Sequence, residues 1–74
     1  MSEHLKNWVI YERPVEYPDH FVIRLWLVVN GRLVLTPVQK FAKTLQEARK
    51  AIPPGLICFR RDASDVPELV ETWM

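Results

Sequence analysis

The stretch FVIRLWLVVNGRLVL, residues 21–35, decides the fold because it predicts two apolar strands joined by Asn30-Gly31. Asn-Gly between two apolar segments is the strongest short-range signal for a hairpin, since a type I′ turn needs positive φ at both central residues. With a two-residue turn, Trp26 faces Leu35 on the neighbouring strand. The side chains of the hairpin are then divided between two faces, because successive residues of a strand point to opposite sides.

Both faces of this hairpin are largely apolar, whereas an antiparallel sheet with one solvent-exposed face has polar residues on that face. One face, which we call the helix face, carries Phe21, Ile23, Leu25, Leu27, Val29, Val34, Thr36 and Val38. The other, the second face, carries Val22, Arg24, Trp26, Val28, Leu33, Leu35 and Pro37. Left in water, the second face would be an apolar patch of roughly several hundred Å², the size that marks an interaction site.

Further strands are predicted before and after the hairpin, whose own strands span 20–29 and 32–38. Segments rich in β-branched and aromatic residues predict strands at 8–13, 56–60 and 68–74. Residues 1–7 are polar and are expected to be frayed. A chain of 74 residues is one domain, 1–74. The order β-β-β-α-β-β predicts the α+β class, with a mainly antiparallel sheet of four to five strands and one short helix on one face.

The helix is predicted over about residues 44–52. Thr44 and Glu47 have the spacing of a capping box, and the proline after Ile52 ends the helix. The helix has one apolar stripe, which consists of Leu45, Ala48 and Ile52. The aromatic residue Phe41 lies just before the helix and adds to this stripe. We expect this stripe to cover the helix face of the hairpin.

Three arrangements could cover the second face. The sheet could curl so that Trp8 or Trp73 folds over it, a second copy could pack across a two-fold axis, or a different protein could dock there. Arg24 lies in the middle of this face, and a buried unpaired guanidinium is too costly. We therefore expect Arg24 to reach solvent, to stack on Trp26 or another ring, or to meet a carboxylate such as Glu71 or one from a partner.

Charge is unevenly divided along the chain, although the formal net charge is only +1. Residues 39–61 have a net charge of +5, and residues 62–74 have a net charge of −4. The basic side chains are Lys40, Lys43, Arg49, Lys50, Arg60 and Arg61. One interpretation is a patch for nucleic acid or another polyanion. The other, which we favour because nucleic-acid-binding domains are usually far more basic, is neutralisation by the acidic final strand.

No catalytic residue, cofactor site or metal site is predicted, and we do not expect an enzyme. Both glycines, Gly31 and Gly55, are explained by turns, so the chain has no Gly-rich phosphate loop. The lone Cys58 lies in an apolar context typical of a buried hydrophobic residue. The segment EYPDH, residues 16–20, groups two carboxylates with His20, and we interpret it as a contact that ends a loop.

Several segments resemble a group of small uncharacterised bacterial proteins. They are WVIYERP at 8–14, YPDHFVIRLW at 17–26, FAKTLQEARKAIPPGL at 41–56 and VETW at 70–73. The resemblance extends from Trp8 to Trp73 and implies a bacterial, cytoplasmic protein of one small domain. The absence of an apolar signal segment or a membrane span also favours the cytoplasm. No known activity, and so no functional residue, comes with the resemblance.

The sequence-based hypothesis is therefore a small protein-interaction module that associates with itself as a homodimer or with another protein. The expected interface residues are Val22, Arg24, Trp26, Val28, Leu33 and Leu35. The alternative is weak binding of nucleic acid or another polyanion through the basic segment 40–61.

Overall fold

A computed structural model describes residues 5–62 and 66–74, which form one five-stranded antiparallel sheet with one helix on one face. The strands are β1 (Leu5–Glu12), β2 (Phe21–Val29), β3 (Arg32–Ala42), β4 (Cys58–Arg60) and β5 (Leu69–Trp73), and the helix is α1 (Leu45–Lys50). The order across the sheet is β3-β2-β1-β5-β4, so β1 is central and β3 and β4 are the edges. The predicted α+β class and the order of elements along the chain are confirmed.

The first strand begins earlier than the sequence predicted. Leu5 pairs with Val28 and Asn7 pairs with Trp26, so the expectation that residues 5–7 are frayed is wrong. Residues 5–7 are held in the sheet because the long hairpin offers them a partner strand. The remainder of the expected frayed segment, residues 1–4, lies outside the described residues.

The turn of the hairpin has the predicted geometry. Asn30 has a φ of 51° and Gly31 a φ of 76°, the two positive values that a type I′ turn requires. Trp26 lies opposite Leu35, as the two-residue turn dictates.

Beyond this pair the register between β2 and β3 shifts by two residues. Arg24 lies opposite Gln39, where an uninterrupted ladder would place Pro37. Proline has no N–H and cannot continue the ladder, so the chain bulges here. Because the shift is even, no side chain changes face, and β3 runs on to Ala42 instead of ending at 38.

The hydroxyl of Thr36 satisfies the backbone groups that the bulge would leave unpaired. It donates to the carbonyl oxygen of Leu25 at 2.8 Å and accepts from the N–H of Val38 at 3.2 Å. One side chain thus replaces part of the interrupted ladder.

The core lies between the sheet and α1. Its buried residues are Trp8, Ile10, Phe21, Ile23, Leu25, Ala42, Ala48 and Ile52, with Leu45 packed against them. The predicted coverage of the helix face is confirmed for Phe21, Ile23 and Leu25, whereas Val34 and Val38 of the same face stay exposed. The predicted cap is present as well, since the Thr44 hydroxyl accepts from the N–H of Glu47 at 3.1 Å.

Phe41 does not join the helical stripe. It lies opposite Val22, which places it on the second face, and it is 47% exposed. Its ring meets the edge of Tyr17, with the ring centroids 4.7 Å apart. The expectation that Phe41 helps to cover the helix face is wrong because β3 continues past it.

Candidate interaction surface

The two tryptophans that could have closed the second face lie on the opposite side of the sheet. Trp8 pairs with both Leu25 and Trp73, and Leu25 belongs to the buried core beneath α1. Cross-strand partners share a face, so both indoles point towards the helix. Closure of the second face by Trp8 or Trp73 is therefore ruled out.

The second face is closed at one end and open at the other. Val22 is fully buried at the closed end, near Phe41 and the loop that carries Tyr17, so it offers no surface to a partner. At the hairpin end, Leu33 is 62% exposed and Leu35 is 48% exposed. Trp26 and Val28 beside them are half-buried, and Phe59 of β4 is 48% exposed.

Tyr11 of the central strand organises the polar groups of this face. Its hydroxyl accepts a hydrogen bond from the indole Nε1 of Trp26 at 3.1 Å. The guanidinium carbon of Arg24 lies 5.2 Å from the centroid of the Tyr11 ring, within cation–π range. The Nε of Arg24 donates to the Gln39 side-chain oxygen at 3.1 Å.

Of the outcomes expected for Arg24, stacking on another ring is confirmed and pairing with Glu71 is wrong. Glu71 lies opposite Ile10, a core residue, and thus on the helix face. Within residues 5–62 and 66–74, no carboxylate forms an ion pair with Arg24.

Among the described residues, two shallow depressions adjoin Tyr11 on this face. One has a volume of about 310 Å³ and is lined by residues that include Val9, Tyr11, Trp26, Leu33, Leu69 and Met74. The other has a volume of about 250 Å³ and includes Arg24, Glu16 and Glu68 in its wall. Tyr11, Val9 and Leu69 were not predicted as part of this face, because only the strand order shows that β1 and β5 extend it. The alternation of side chains along β1, which places Val9 and Tyr11 on one face of that strand, was the available signal.

On the other side of the sheet, Arg49 of α1 binds Glu71 of β5 with two hydrogen bonds, at 2.8 Å and 3.0 Å. The Glu71 carboxylate is buried and also accepts from the Trp73 indole at 3.0 Å. Hydrogen bonding to Arg49 holds the pKa of Glu71 below its usual value, against the opposing effect of burial. Burial, with the adjacent Glu71 carboxylate, raises the pKa of the Cys58 thiol.

The basic segment is thus partly neutralised, as the favoured interpretation expects. Arg60 also lies opposite Glu71 in the pairing of β4 with β5. Lys40 lies over the ring of Trp8, 5.3 Å from its centroid, and donates to the carbonyl oxygen of Ala51 at 3.3 Å. The other basic side chains, Lys43, Lys50 and Arg61, are exposed. Binding of a polyanion through this segment stays a prediction.

In the described part of the chain, no cluster of three His, Cys, Asp or Glu side chains could hold a metal ion. His20 packs edge-on against Phe41 with the ring centroids 5.9 Å apart. No helix among residues 5–62 and 66–74 has the length and apolar content needed to cross a membrane.

The chain matches no protein-family model, no curated protein and no solved structure. The resemblance to small bacterial proteins stays a prediction.

Proposed function

We propose that the protein is a small interaction module that associates with a second copy of itself through the open end of the second face. The observation that supports this most is the pairing of Trp8 with both Leu25 and Trp73. This pairing places the indoles of Trp8 and Trp73, which could have covered the second face, on the other side of the sheet. Exposed apolar side chains, Leu33 and Leu35 among them, are left together beside Trp26.

The size of the chain favours a partner. A domain of this length buries a smaller share of its surface than larger domains do, and small domains commonly gain stability from a disulfide, a metal or a second subunit. The single Cys58 excludes an intrachain disulfide. Burial of the half-exposed leucines contributes about 25 cal/mol per Å² of apolar surface removed from water.

The charges around the face favour a second copy as that partner. Arg24 stacks on Tyr11 and bonds the neutral Gln39, and it forms no ion pair with a carboxylate of the described residues. Glu16 and Glu68 line the same depression as Arg24. A second copy packed across a two-fold axis brings these carboxylates, together with an apolar surface, towards Arg24.

The test is the absolute mass in solution, measured by light scattering after size exclusion over a tenfold range of concentration. We expect the wild-type chain to associate and Trp26→Glu to shift it towards the monomer, because a buried unpaired carboxylate opposes association. Gln46→Glu is the matched control, since it adds the same charge at an exposed site of α1. A folded Trp26→Glu chain with the wild-type mass would overturn the proposal.

A further inference from the structure

The free edge of β3 contains a stretch, Leu33–Leu35, that lacks the usual protection against pairing with another chain. β3 is an edge strand with eleven residues, and β2 is its neighbour in the sheet. The unpaired N–H and C=O groups of an edge are a template for a further strand, and proteins block them with prolines, lysines and bulges. In β3 the bulge, Pro37 and Lys40 all come after Leu35.

The register of the hairpin shows which backbone groups of this stretch face outward. A two-residue turn is closed by a hydrogen-bonded pair, here Val29 and Arg32. In an antiparallel ladder such pairs alternate with pairs that make no bonds to each other. Val34 therefore bonds β2, whereas Leu33 and Leu35 direct their N–H and C=O groups away from the sheet. The bond from Thr36 to the carbonyl oxygen of Leu25 fits this alternation, because it places that carbonyl towards β3.

We propose that a second copy pairs antiparallel along this edge, with Leu33 opposite Leu35 of the partner subunit and Val34 at the two-fold axis. This register is self-complementary, because Leu33 of each subunit lies opposite Leu35 of the other subunit and each such pair is a hydrogen-bonded pair. The two five-stranded sheets then form one continuous sheet of ten strands. Their second faces lie on the same side of it.

The side chains of the stretch are suited to this contact. Leu33 is 62% exposed and Leu35 is 48% exposed on the second face, and Val34 is 45% exposed on the helix face. Edge pairing buries apolar surface on both sides of the new strand pair, as cross-strand apolar contacts do within a sheet. The flanking Arg32 meets Thr36 of the partner subunit in this register, so no like charges are brought together.

This inference does not depend on association through the second face. The edge pairing depends on the backbone N–H and C=O groups of Leu33 and Leu35, whereas association through the second face depends on Trp26. The two surfaces can be disabled one at a time, and their failures are therefore distinguishable.

The first experiment is amide hydrogen exchange, followed residue by residue at a concentration where light scattering shows association. We expect the N–H groups of Leu33 and Leu35 to exchange at least tenfold more slowly than in a dilute monomeric sample. An associated protein in which both amides exchange as fast as in the monomer overturns the edge pairing and leaves the second face as the interface. A chain that stays monomeric throughout overturns both proposals.

The second experiment compares Leu33→Pro with Leu33→Ala. Proline removes an outward N–H and places its ring in the path of the partner strand, while every bond from β3 to β2 is kept. Alanine keeps the N–H and shortens the same side chain. We expect proline to remove the edge contact and its amide protection at Leu35, and alanine to retain both. Equal masses for the two variants, or a Leu33→Pro chain with protected Leu35, would overturn the edge pairing.

Discussion

Arg49 and Glu71 form a two-point ion pair, with nitrogen–oxygen distances of 2.8 Å and 3.0 Å, that joins the only helix of the described residues to β5. A six-residue helix is too short to be stable by itself in water. The Glu71 side chain is 4% exposed, so its charge depends on this partner and on the Trp73 indole. The pair therefore helps to hold α1 over the helix face, and it leaves the second face without a helix.

Replacement of Arg49 by alanine should destabilise the fold. The change leaves the buried Glu71 carboxylate with the Trp73 indole but without its cation, and an uncompensated buried charge is strongly unfavourable. Lys50→Ala, at an exposed position of the same helix, is the matched control. Thermal unfolding followed by circular dichroism should show a clearly lower Tm for Arg49→Ala and little change for Lys50→Ala. Equal Tm values for the two variants would show that the ion pair does not hold α1.

The ion pair also predicts how stability depends on pH. Because the folded-state pKa of Glu71 lies below its unfolded value, the contribution of this group is fully present above about pH 4.3, the ordinary pKa of a glutamate. It is lost as the pH falls through the lower, folded-state pKa, since the unfolded chain binds the proton first. Urea unfolding between pH 7 and pH 3 should therefore show a loss of free energy that is smaller in Glu71→Gln. The same acid dependence in both proteins would contradict this assignment.

The sequence predicted the parts of this fold that depend on local chemistry. Asn30-Gly31 gave the hairpin turn and, with it, the pairing of Trp26 with Leu35. The capping box at Thr44 placed the start of α1. These features are predictable because the atoms that determine them lie within a few residues of one another.

The strand order, and with it most of the candidate site, could not be predicted from the sequence. Nothing local to Tyr11 shows that β1 lies between β2 and β5, so its contacts with Trp26 and Arg24 were missed. The side of the sheet on which Trp8 and Trp73 lie depends on the same long-range pairing. The extension of β3 was missed because Pro37 predicts the end of a strand, and the Thr36 hydroxyl compensates for it only in three dimensions.

Removal of the Thr36 hydroxyl should weaken the β2–β3 pairing. Thr36→Val keeps the shape of the side chain but leaves the carbonyl of Leu25 and the N–H of Val38 without this partner. We expect a loss of about 1–3 kcal/mol in the free energy of unfolding, the typical cost of unsatisfied backbone groups. Thr36→Ser keeps the hydroxyl and should cost less than Thr36→Val in the same urea titration. A valine variant as stable as the serine variant would show that water satisfies both groups.

Tyr11→Phe should weaken association without unfolding the chain. The change removes the oxygen that accepts from the Trp26 indole at 3.1 Å but keeps the ring on which Arg24 stacks. The indole is then free to leave the orientation that the second face presents to a partner, and a net hydrogen bond contributes about 1 kcal/mol. Both subunits of a two-fold dimer lose this bond, so the loss of about 2 kcal/mol corresponds to roughly a thirtyfold weaker dimer, measurable by sedimentation equilibrium. Tyr17→Phe is the matched control, because the Tyr17 ring packs on Phe41 at the closed end of the face and its hydroxyl accepts only a long bond of 3.5 Å from Gln39. A Tyr11→Phe dimer as tight as the Tyr17→Phe dimer would show that the orientation of Trp26 does not matter for association.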